Sequence, residues 1–582
     1  MSHTTQTNRQ KRWGWPLGLL LSTVMMLCVV LFFSLRYANN DDTLILRQMM
    51  GFGVNELPDF NMCVTFVILY PLRWLSMAFP GQPWFSYVQL FCLWLAAAVS
   101  AKSILQCFVQ AEKPLWQGLL VSILYLVVFV LRYESHVTFT ITAALLGAAA
   151  VLQLMSIDTE NCTDGQWIAS AMLGLLMAVL GYGMRETTAL PTLAMCGVAF
   201  IVQGIRRWKG GNGWVRPLVI TAAIVVVVFG GMVGFRSWEI ANKPGIQQYM
   251  DWQDARSRIW DFLGVENIPQ ETLEEYNITE ARHALMIEWY LMDGDMDTET
   301  LLAIGDAIEA NTDHSLRARW NKAIQLIAQV PAQDPQATRS LWVLGGWFVI
   351  AAILLTFGEK RNRLAPILGL CLSLVLFAVM LLYLALNGRL PMRVVLTAAL
   401  PWAALLMGLL PLCLPNQGSI AVKSLTALCC AVMLAMSTWY AIPMLKANLR
   451  DEMNFDELMA ETTFAAIDDY ASCNEEYLMI MDNTLVGDTR MFPTTEFGFP
   501  KNVHYWGGWN LHHPSYDAML ESYGFDPYDW SLENFLSYDV RLLCGGVEPP
   551  YFLMQALNEI CEVECYLDSE WDGLYSMYFE EW

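Results

Sequence analysis

Residues 17–33 read LGLLLSTVMMLCVVLFF, an unbroken apolar run of the length that crosses a bilayer in a helix. A hydrocarbon core about 30 Å thick needs about 17–25 such residues. Comparable runs occupy 117–131, 218–235 and 366–386, and 55% of the 582 residues are hydrophobic while 15% are charged. The sequence therefore predicts a polytopic α-helical membrane protein rather than a soluble multidomain chain.

Basic loops predict the orientation of these helices, because Lys and Arg are retained on the cytoplasmic side. Basic residues collect at the N-terminus, near Lys102 and Lys113, in 205–216 and in 359–363. The first apolar run is longer than that of a signal peptide and lacks a small-residue cleavage site, so it predicts an uncleaved helix. About eleven crossings satisfy these loops, at 14–36, 84–108, 115–132, 137–155, 167–183, 188–205, 217–235, 341–357, 365–386, 394–413 and 421–440.

The apolar segment 60–78 does not fit this count, because a crossing there would place every later basic loop outside. Pro71 and Arg73 in its middle favour an amphipathic or re-entrant helix that lies in the interface without crossing. The sequence thus predicts that 37–83 form a single outer loop.

Two further regions are predicted to lie outside the bilayer on the same side as this loop. Residues 236–339 are rich in Asp and Glu with helical periodicity. Residues 445–582 alternate helix-like and strand-like stretches. After position 445 there are 27 acidic and 5 basic residues, so the net charge of −22 belongs to a solvated α/β tail, and no nucleic-acid partner is expected. The predicted organisation is a cytoplasmic N-terminus (1–13), a first transmembrane helix (14–36), an outer loop (37–83), a membrane bundle (84–235), an outer helical domain (236–339), a second part of the bundle (340–440) and an outer α/β domain (445–582).

The tail also carries cysteine and histidine residues. Cys473, Cys544, Cys561 and Cys565 could form a disulfide bond if the tail faces an oxidising compartment. The stretch NVHYWGGWNLHHP at 502–514 contains three histidines, but their spacing fits no zinc motif. It predicts an aromatic loop.

Two adjacent carboxylates open the first outer loop. Asp41 and Asp42 stand in RYANNDDTLILRQMM (36–50), a few residues after the first predicted helix. Carboxylates at the membrane surface suit a general base that deprotonates an acceptor hydroxyl, or ligands of a divalent cation. The same Asn-Asn-Asp-Asp run is also typical of a polar cap that opens a helix. Both interpretations stay open at this stage.

Arginines at the predicted outer ends of helices run against the positive-inside bias and indicate an anion site. Arg185 lies beside Glu186 in GYGMRETTALP, and Arg389 and Arg393 lie in LNGRLPMRVV. Guanidinium groups hold phosphate oxygens bidentately, and burying one without an anion is costly. The alternative is that Arg185 pairs with Glu186 and the other two reach lipid head groups.

A third group of candidates lies near the start of the region 236–339. In WQDARSRIWDF, Asp254, Arg256 and Asp261 flank aromatic residues. Aromatic side chains beside carboxylates are common on sugar-binding surfaces. The same spacing is typical of a helix with one packed face and one solvated face.

Together these features resemble the GT-C superfamily of membrane glycosyltransferases, which use polyprenyl-phosphate sugars. The matching elements are Asp41 and Asp42 at the start of a long outer loop, the non-crossing segment 60–78 followed by PWFSYVQLF, the outer Arg185 and the stretch GRLPMR. The resemblance covers the topology of residues 14–440. The tail lacks the WWDYG-type motif of oligosaccharyltransferases, so transfer to protein asparagine is not expected.

The resemblance implies a cell-membrane enzyme that moves a sugar from a polyprenyl-phosphate donor to a cell-envelope glycan or lipid acceptor on the outer face. It also implies that Asp41 or Asp42 is the base and that Arg185, Arg389 and Arg393 hold the donor phosphate. The alternatives are a transporter or flippase and a non-catalytic envelope-assembly protein. A transporter usually has charged or broken helices at mid-membrane and repeated halves, and the sequence shows few such charges and no repeated halves.

Overall fold

The computed structural model arranges the chain as a helical bundle that ends in a small mixed sheet. Helices make up most of the chain that it describes. The described residues are 13–54, 56–159, 162–211, 213–290, 294–357, 363–415, 419–449, 455–481, 489–493, 500–505, 507–529, 531–537, 540–543, 551–561, 564–571 and 574–580.

The first part of the chain contains one long apolar helix and two shorter ones. Helix α1 (Gly14–Phe32) is followed by strand β1 (Arg36–Tyr37), α2 (Asn40–Met50) and α3 (Phe66–Ala78). Helix α3 has 13 residues. Its length is therefore about 20 Å, less than the roughly 30 Å of a hydrocarbon core. Other apolar helices of the chain are also shorter than 18 residues, so length does not decide whether this segment crosses, and its non-crossing stays a prediction.

Seven helices and a second short strand follow. Alanine and glycine are frequent in the central helix of this group, and all 17 of its residues are buried, because small side chains let neighbouring helices approach closely. The elements are α4 (Trp84–Gln110), α5 (Leu115–Phe129), α6 (Leu131–Ser135), β2 (His136–Val137), α7 (Phe139–Met155), which is the central helix, α8 (Asp164–Met184), α9 (Ala189–Lys209) and α10 (Val215–Asn242).

The region between the two parts of the bundle is helical, and polar caps begin several of its helices. Asp297 accepts the Thr300 N–H (2.8 Å), and Ser315 accepts the Ala318 N–H (3.2 Å). The helices are α11 (Ile246–Ser257), continued by a π-helical turn (Arg258–Leu263), then α12 (Gln270–Glu275), α13 (Glu280–Ile287), α14 (Thr298–Asn311) and α15 (Leu316–Gln333). The bundle resumes with α16 (Pro335–Phe357), α17 (Leu364–Leu386), α18 (Met392–Cys413) and α19 (Ile420–Asn448).

Within the described residues, nine helices are long and apolar enough to span a membrane, namely α1, α4, α8, α9, α10 and α16 to α19. Helices α5 and α7 are shorter but apolar, and they coincide with the two remaining predicted crossings. The prediction of an all-α polytopic membrane bundle is confirmed.

The described basic loops lie at one end of this bundle, and the regions predicted to be outer lie at the other. Lys113 donates to the Leu414 carbonyl (2.8 Å), and Arg207 pairs with Asp164 (2.6 Å) at the same end. At the other end, which we call the loop face, the regions 37–83 and 236–339 meet the tail. This separation follows the order of the predicted crossings, and which end faces outside stays a prediction.

Lys102 does not lie in a loop, although it contributed to the predicted orientation. It is buried inside α4, where its ammonium donates to the Gln153 side chain (2.6 Å) and lies over the Trp15 ring. A polar partner on α7 makes burial of the charge tolerable. The basic residues of the N-terminus, and Lys360 and Arg361 of the segment 359–363, lie outside the described residues.

The tail forms a mixed sheet flanked by helices. The elements are α20 (Phe455–Cys473), β3 (Leu478–Met481), β4 (Val503–Tyr505), α21 (Pro514–Ser522), α22 (Leu532–Ser537), β5 (Val540–Leu543), α23 (Tyr551–Cys561), β6 (Glu564–Trp571) and β7 (Leu574–Glu580). Among the described residues the strand order is β4-β3-β5-β7-β6, parallel from β4 to β5 and antiparallel from β5 to β6. Strand β4 and the helix α22 were not predicted.

The structure describes three of the four cysteines of the tail. Cys473, Cys561 and Cys565 are unbridged in the described part of the tail. Cys544 lies outside the described residues, as does Trp506 of the aromatic stretch.

A buried charge cluster joins the tail to the first outer loop. Asp468 of α20 accepts hydrogen bonds from Arg47 of α2 and from Arg490 (2.7 Å to the latter), and all three side chains are nearly inaccessible. Nearby, Gly53 adopts a positive φ of 57° and packs against the Val503 carbonyl, where a side chain would collide. The tail is therefore fixed to the loop face through α2.

Candidate functional site

A short parallel strand pair fixes the first outer loop against the start of α7. Arg36 is in register with His136, and Tyr37 with Val137. The Ala38 N–H extends the pairing by donating to the Val137 carbonyl (2.8 Å). The residues that follow β1 are thus held next to the first turn of α7.

Asp41 and Asp42 lie in the first turn of α2. Asn39 is the N-cap, and its side chain accepts the Asp42 N–H (3.3 Å). The polar run therefore does begin a helix, as one of the two interpretations expected. Successive residues of a helix point about 100° apart, so the two carboxylates face different surroundings.

Asp42 faces the interior. It is fully buried, and its Oδ1 accepts one hydrogen bond from the Gln89 side chain on α4 and one from the Phe139 N–H, both at 2.8 Å. Phe139 is the first residue of α7, so Asp42 caps that helix from a distant part of the chain. Burial raises the pKa of Asp42 from 3.8 to about 8, and the two hydrogen bonds oppose the shift only in part.

Asp41 faces a cavity. Its side chain is 25% exposed, and its carboxylate lies 3.5 Å from the guanidinium of Arg393. The distance is long for an ion pair, and Arg393 is itself 41% exposed. Asp41 is therefore accessible to a bound molecule, whereas Asp42 is not.

The cavity beside Asp41 has a volume of about 1230 Å³. Its walls come from α2, from the connection between α8 and α9, from α11, α14 and α15, and from the turn between α17 and α18. Five predicted residues from separate parts of the sequence line it, namely Asp41, Arg185, Asp254, Arg389 and Arg393.

Cationic side chains dominate the wall around Asp41. Arg389 pairs with Asp261 (2.8 Å) and lies over the Phe262 ring. Burial, and then repulsion by Arg393, lower the pKa of Arg389 even though Asp261 opposes the shift. Arg185 lies over the Phe139 ring (5.4 Å) at the end of α8. These cations crowd one another, so a bound anion would relieve their repulsion.

Three other predicted residues do not line the cavity. Asp42 lies behind it, as described above. Glu186 approaches Arg236 (3.9 Å) rather than Arg185. Arg256 is 4% exposed, donates to the Gln253 side chain (2.9 Å) and lies over the Trp289 ring (5.2 Å), so its charge is held inside the helical region.

The sequence analysis missed three cations that line the cavity. Arg258 pairs with Asp306 and Glu309 on α14 (2.7 and 2.8 Å). Arg319 and Lys322 of α15 reach the cavity from the opposite wall. The sequence could have indicated Arg319 and Lys322, because α15 is basic within a region that is otherwise rich in Asp and Glu.

Asp41 and Asp42 do not combine into a cation site. The Asp42 carboxylate turns toward Gln89 and the Phe139 N–H, and the nearest charge to Asp41 is the guanidinium of Arg393. Nowhere in the described part of the chain do three His, Cys, Asp or Glu side chains gather in an arrangement suited to a metal ion. The divalent cation stays a prediction without a set of ligands.

The histidines of the tail pack against aromatic rings. His512 stacks on Tyr528 with ring centroids 4.1 Å apart, and His513 lies against Phe60 of the first outer loop (6.4 Å). His504 contacts the Tyr516 ring (5.4 Å). Of these contacts, the one between His513 and Phe60 joins the tail to the loop face, and none of the three histidines lines the cavity.

No family model and no curated protein matches the chain. Among solved structures, the chain is similar to the archaeal oligosaccharyltransferase AglB from Archaeoglobus fulgidus, in complex with an inhibitory peptide and a dolichol-phosphate. The alignment covers 98% of this chain and 74% of that chain at 10% identity, with a TM-score of 0.37. At that TM-score the two backbones differ too much for the likeness to bear on chemistry, so the cavity itself carries the functional argument.

Proposed function

We propose that this protein is a membrane glycosyltransferase that moves a sugar from a polyprenyl-phosphate donor to a hydroxyl of a cell-envelope glycan or lipid. The observation that carries the proposal is the cavity on the loop face. It holds the partly exposed carboxylate of Asp41 beside Arg393, with further arginines from other parts of the chain in the same wall. A base beside an anion site is what transfer from a phosphate leaving group requires.

The donor phosphate is assigned to Arg389 and Arg393, with Arg185 nearby. Arg393 is the second residue of α18, and the N-terminus of a helix already carries a partial positive charge. A guanidinium at that position is unfavourable unless an anion lies beside it. A phosphate there would be held by both the helix terminus and the planar donors of arginine.

The lipid part of the donor is assigned to the apolar side of the cavity. Leu190 of α9 and Tyr383 of α17 line the cavity and are 73% and 65% exposed at the surface of spanning helices. A polyprenyl chain could therefore remain in the bilayer while its phosphate lies in the cavity. Because the chain stays in a hydrocarbon environment, its contacts with these side chains add packing but no transfer from water.

Asp41 is assigned as the general base. The acceptor oxygen attacks the anomeric carbon, the bond between that carbon and the phosphate oxygen breaks, and the acceptor proton passes to Asp41. The leaving lipid phosphate keeps the bonding electrons and stays with the arginines. Binding of the phosphate to Arg393 would also draw that guanidinium from Asp41, which frees the carboxylate to accept the proton.

The centre of the bundle fits a transporter less well than it fits a glycosyltransferase. Helix α7 is buried throughout and nearly all apolar, and α18 is buried over most of its length. A polar path for a substrate would need charged or broken helices at this depth. The cavity instead ends at the loop face beside Asp41.

The test is transfer by the purified protein in nanodiscs supplied with a panel of polyprenyl-phosphate sugars and envelope lipids. Asp41→Asn should lower turnover by about 10²–10⁴-fold, the usual contribution of a general base, with donor binding retained. Asp42→Asn is the matched control, because its neighbour's carboxylate stays in the cavity. Full activity of Asp41→Asn would remove Asp41 from the reaction, and absence of turnover with every donor would contradict the proposed function.

A further inference from the structure

Helix α15 carries an apolar face that the described chain leaves largely uncovered. Leu316, Trp320, Ile324 and Ile327 recur at intervals of four, four and three residues, which places them on one side of the helix. Their exposed fractions are 79%, 47%, 53% and 43%. We call these four residues the apolar stripe.

The charge of α15 differs from that of its surroundings. Residues 316–333 (LRARWNKAIQLIAQVPAQ) contain Arg317, Arg319 and Lys322 and no acidic residue, in a chain of net charge −22. A basic helix with Trp and aliphatic residues on its other side is typical of segments that lie in a membrane interface. Anionic head groups would attract its cations.

Contacts of α15 place it along the end of the spanning helices. Lys322, near its middle, lies against Gly388, two residues after α17 ends. Gln333, its last residue, accepts the Met392 N–H at the start of α18 (2.6 Å) and donates to the Leu390 carbonyl (3.3 Å). The middle and the end of α15 therefore lie at the level where two spanning helices emerge, so the helix runs along that surface.

Helix α15 packs against α16 and α17, and both of these helices expose apolar side chains. Trp342 on α16 is 67% exposed, and Val379 and Tyr383 on α17 are 55% and 65% exposed. Helix α16 begins two residues after α15 ends. A bilayer that covers these residues would reach the stripe as well.

We propose that α15 lies in the interface of the bilayer, with the apolar stripe at the boundary between head groups and acyl chains. The other side of the helix gives Arg319 and Lys322 to the cavity. Helix α15 is then a wall between the lipid surface and the cavity, and the cavity mouth lies at the depth of the head groups. This inference does not depend on the reaction that the cavity performs.

The test uses the full-length protein in nanodiscs of phosphatidylcholine and phosphatidylglycerol, with or without acyl chains brominated near the glycerol. A genetically encoded fluorescent amino acid replaces Trp320 or Ile327 in the stripe, or Gln325 as the matched control. Gln325 is exposed on the opposite side of the same helix. Bromolipid should quench about half or more of the emission at the two stripe positions and about a tenth or less at the control position.

Each other result overturns the proposal. Absence of quenching at both stripe positions would mean that α15 is solvated. Equal quenching at all three positions would mean that the helix has another orientation. Crosslinking of two chains through the stripe, with no quenching, would mean that a second copy covers it. Two independent stripe positions keep the test decisive if one variant fails to fold.

Discussion

Replacement of Asp42 should lower the stability of the protein, because its buried carboxyl group accepts two hydrogen bonds. In Asp42→Ala, the Gln89 amide and the Phe139 N–H both lose the oxygen to which they donate. Each buried donor left unsatisfied costs about 1–3 kcal/mol, so the variant should lose about 2–6 kcal/mol of stability. Asp42→Asn keeps an oxygen in the same place and should fold normally near neutral pH.

The pH dependence gives a sharper expectation. The unfolded carboxyl releases its proton near its ordinary pKa of 3.8, whereas the folded carboxyl keeps it until about 8. Between these values the folded state binds more protons, so rising pH favours the unfolded chain and lowers stability, by up to about 1.4 kcal/mol per pH unit. Asp42→Asn has no such proton, so its stability relative to that of the natural protein should increase as the pH rises from 4 to 8.

Apparent melting temperature in detergent, followed by tryptophan fluorescence at pH 5 and pH 8, measures this difference. We expect the gap between Asp42→Asn and the natural protein to move in favour of the variant at pH 8. Asp42→Ala is the control, because it also lacks this proton and should show the same change between the two pH values on top of its constant loss of stability. An equal loss of stability in Asp42→Asn at both pH values would refute a buried, neutral carboxyl.

Three other expectations concern Arg393, Asp468 and the orientation of the chain in the membrane. Arg393→Lys should weaken binding of a polyprenyl-phosphate donor about tenfold or more, because a point charge does not reproduce bidentate geometry; unchanged affinity in a binding titration would exclude Arg393 from the phosphate site. Asp468→Asn should cost about 3–5 kcal/mol by leaving Arg47 without its buried carboxylate, seen as faster proteolysis of the tail, and a tail that resists protease as before would contradict this. Membrane-impermeant reagents should label a cysteine at 299 from outside but not one at 210, whereas labelling of 210 alone would invert the topology.

The helices of the bundle were predictable because apolar length is a local property. Runs such as 17–33 specify a spanning helix without reference to the rest of the chain. We separated α3 from them because Pro71 and Arg73 interrupt its apolar pattern, and its non-crossing stays a prediction. Strand β4 escaped prediction because three residues in an aromatic stretch give no periodic signal.

The cavity was predictable in part. Asp41, Arg185, Arg389 and Arg393 stood out because each is a charge at the predicted end of a helix. Which of Asp41 and Asp42 faces the cavity depends on the side of α2 that packs against α4 and α7, and that is a tertiary property.

The direction of other charged side chains was equally hidden from the sequence. Arg256 looked like a surface cation, yet it faces Gln253 and Trp289. Lys102 looked like a loop residue because its partner, Gln153, is distant in the sequence. Partners of this kind cannot be recognised from local pattern alone.

The pairing of Arg47 with Asp468 also sets an order for biosynthesis. The two residues are 421 positions apart, and a ribosome that adds about 5–20 residues per second needs about 20–80 s to make that length. During this interval Arg47 of α2 lacks the Asp468 carboxylate that it contacts in the finished protein. The loop that bears Asp41 therefore acquires its final support only after the last spanning helix has been inserted, so truncated or stalled chains should be caught by quality-control proteases before the cavity is complete.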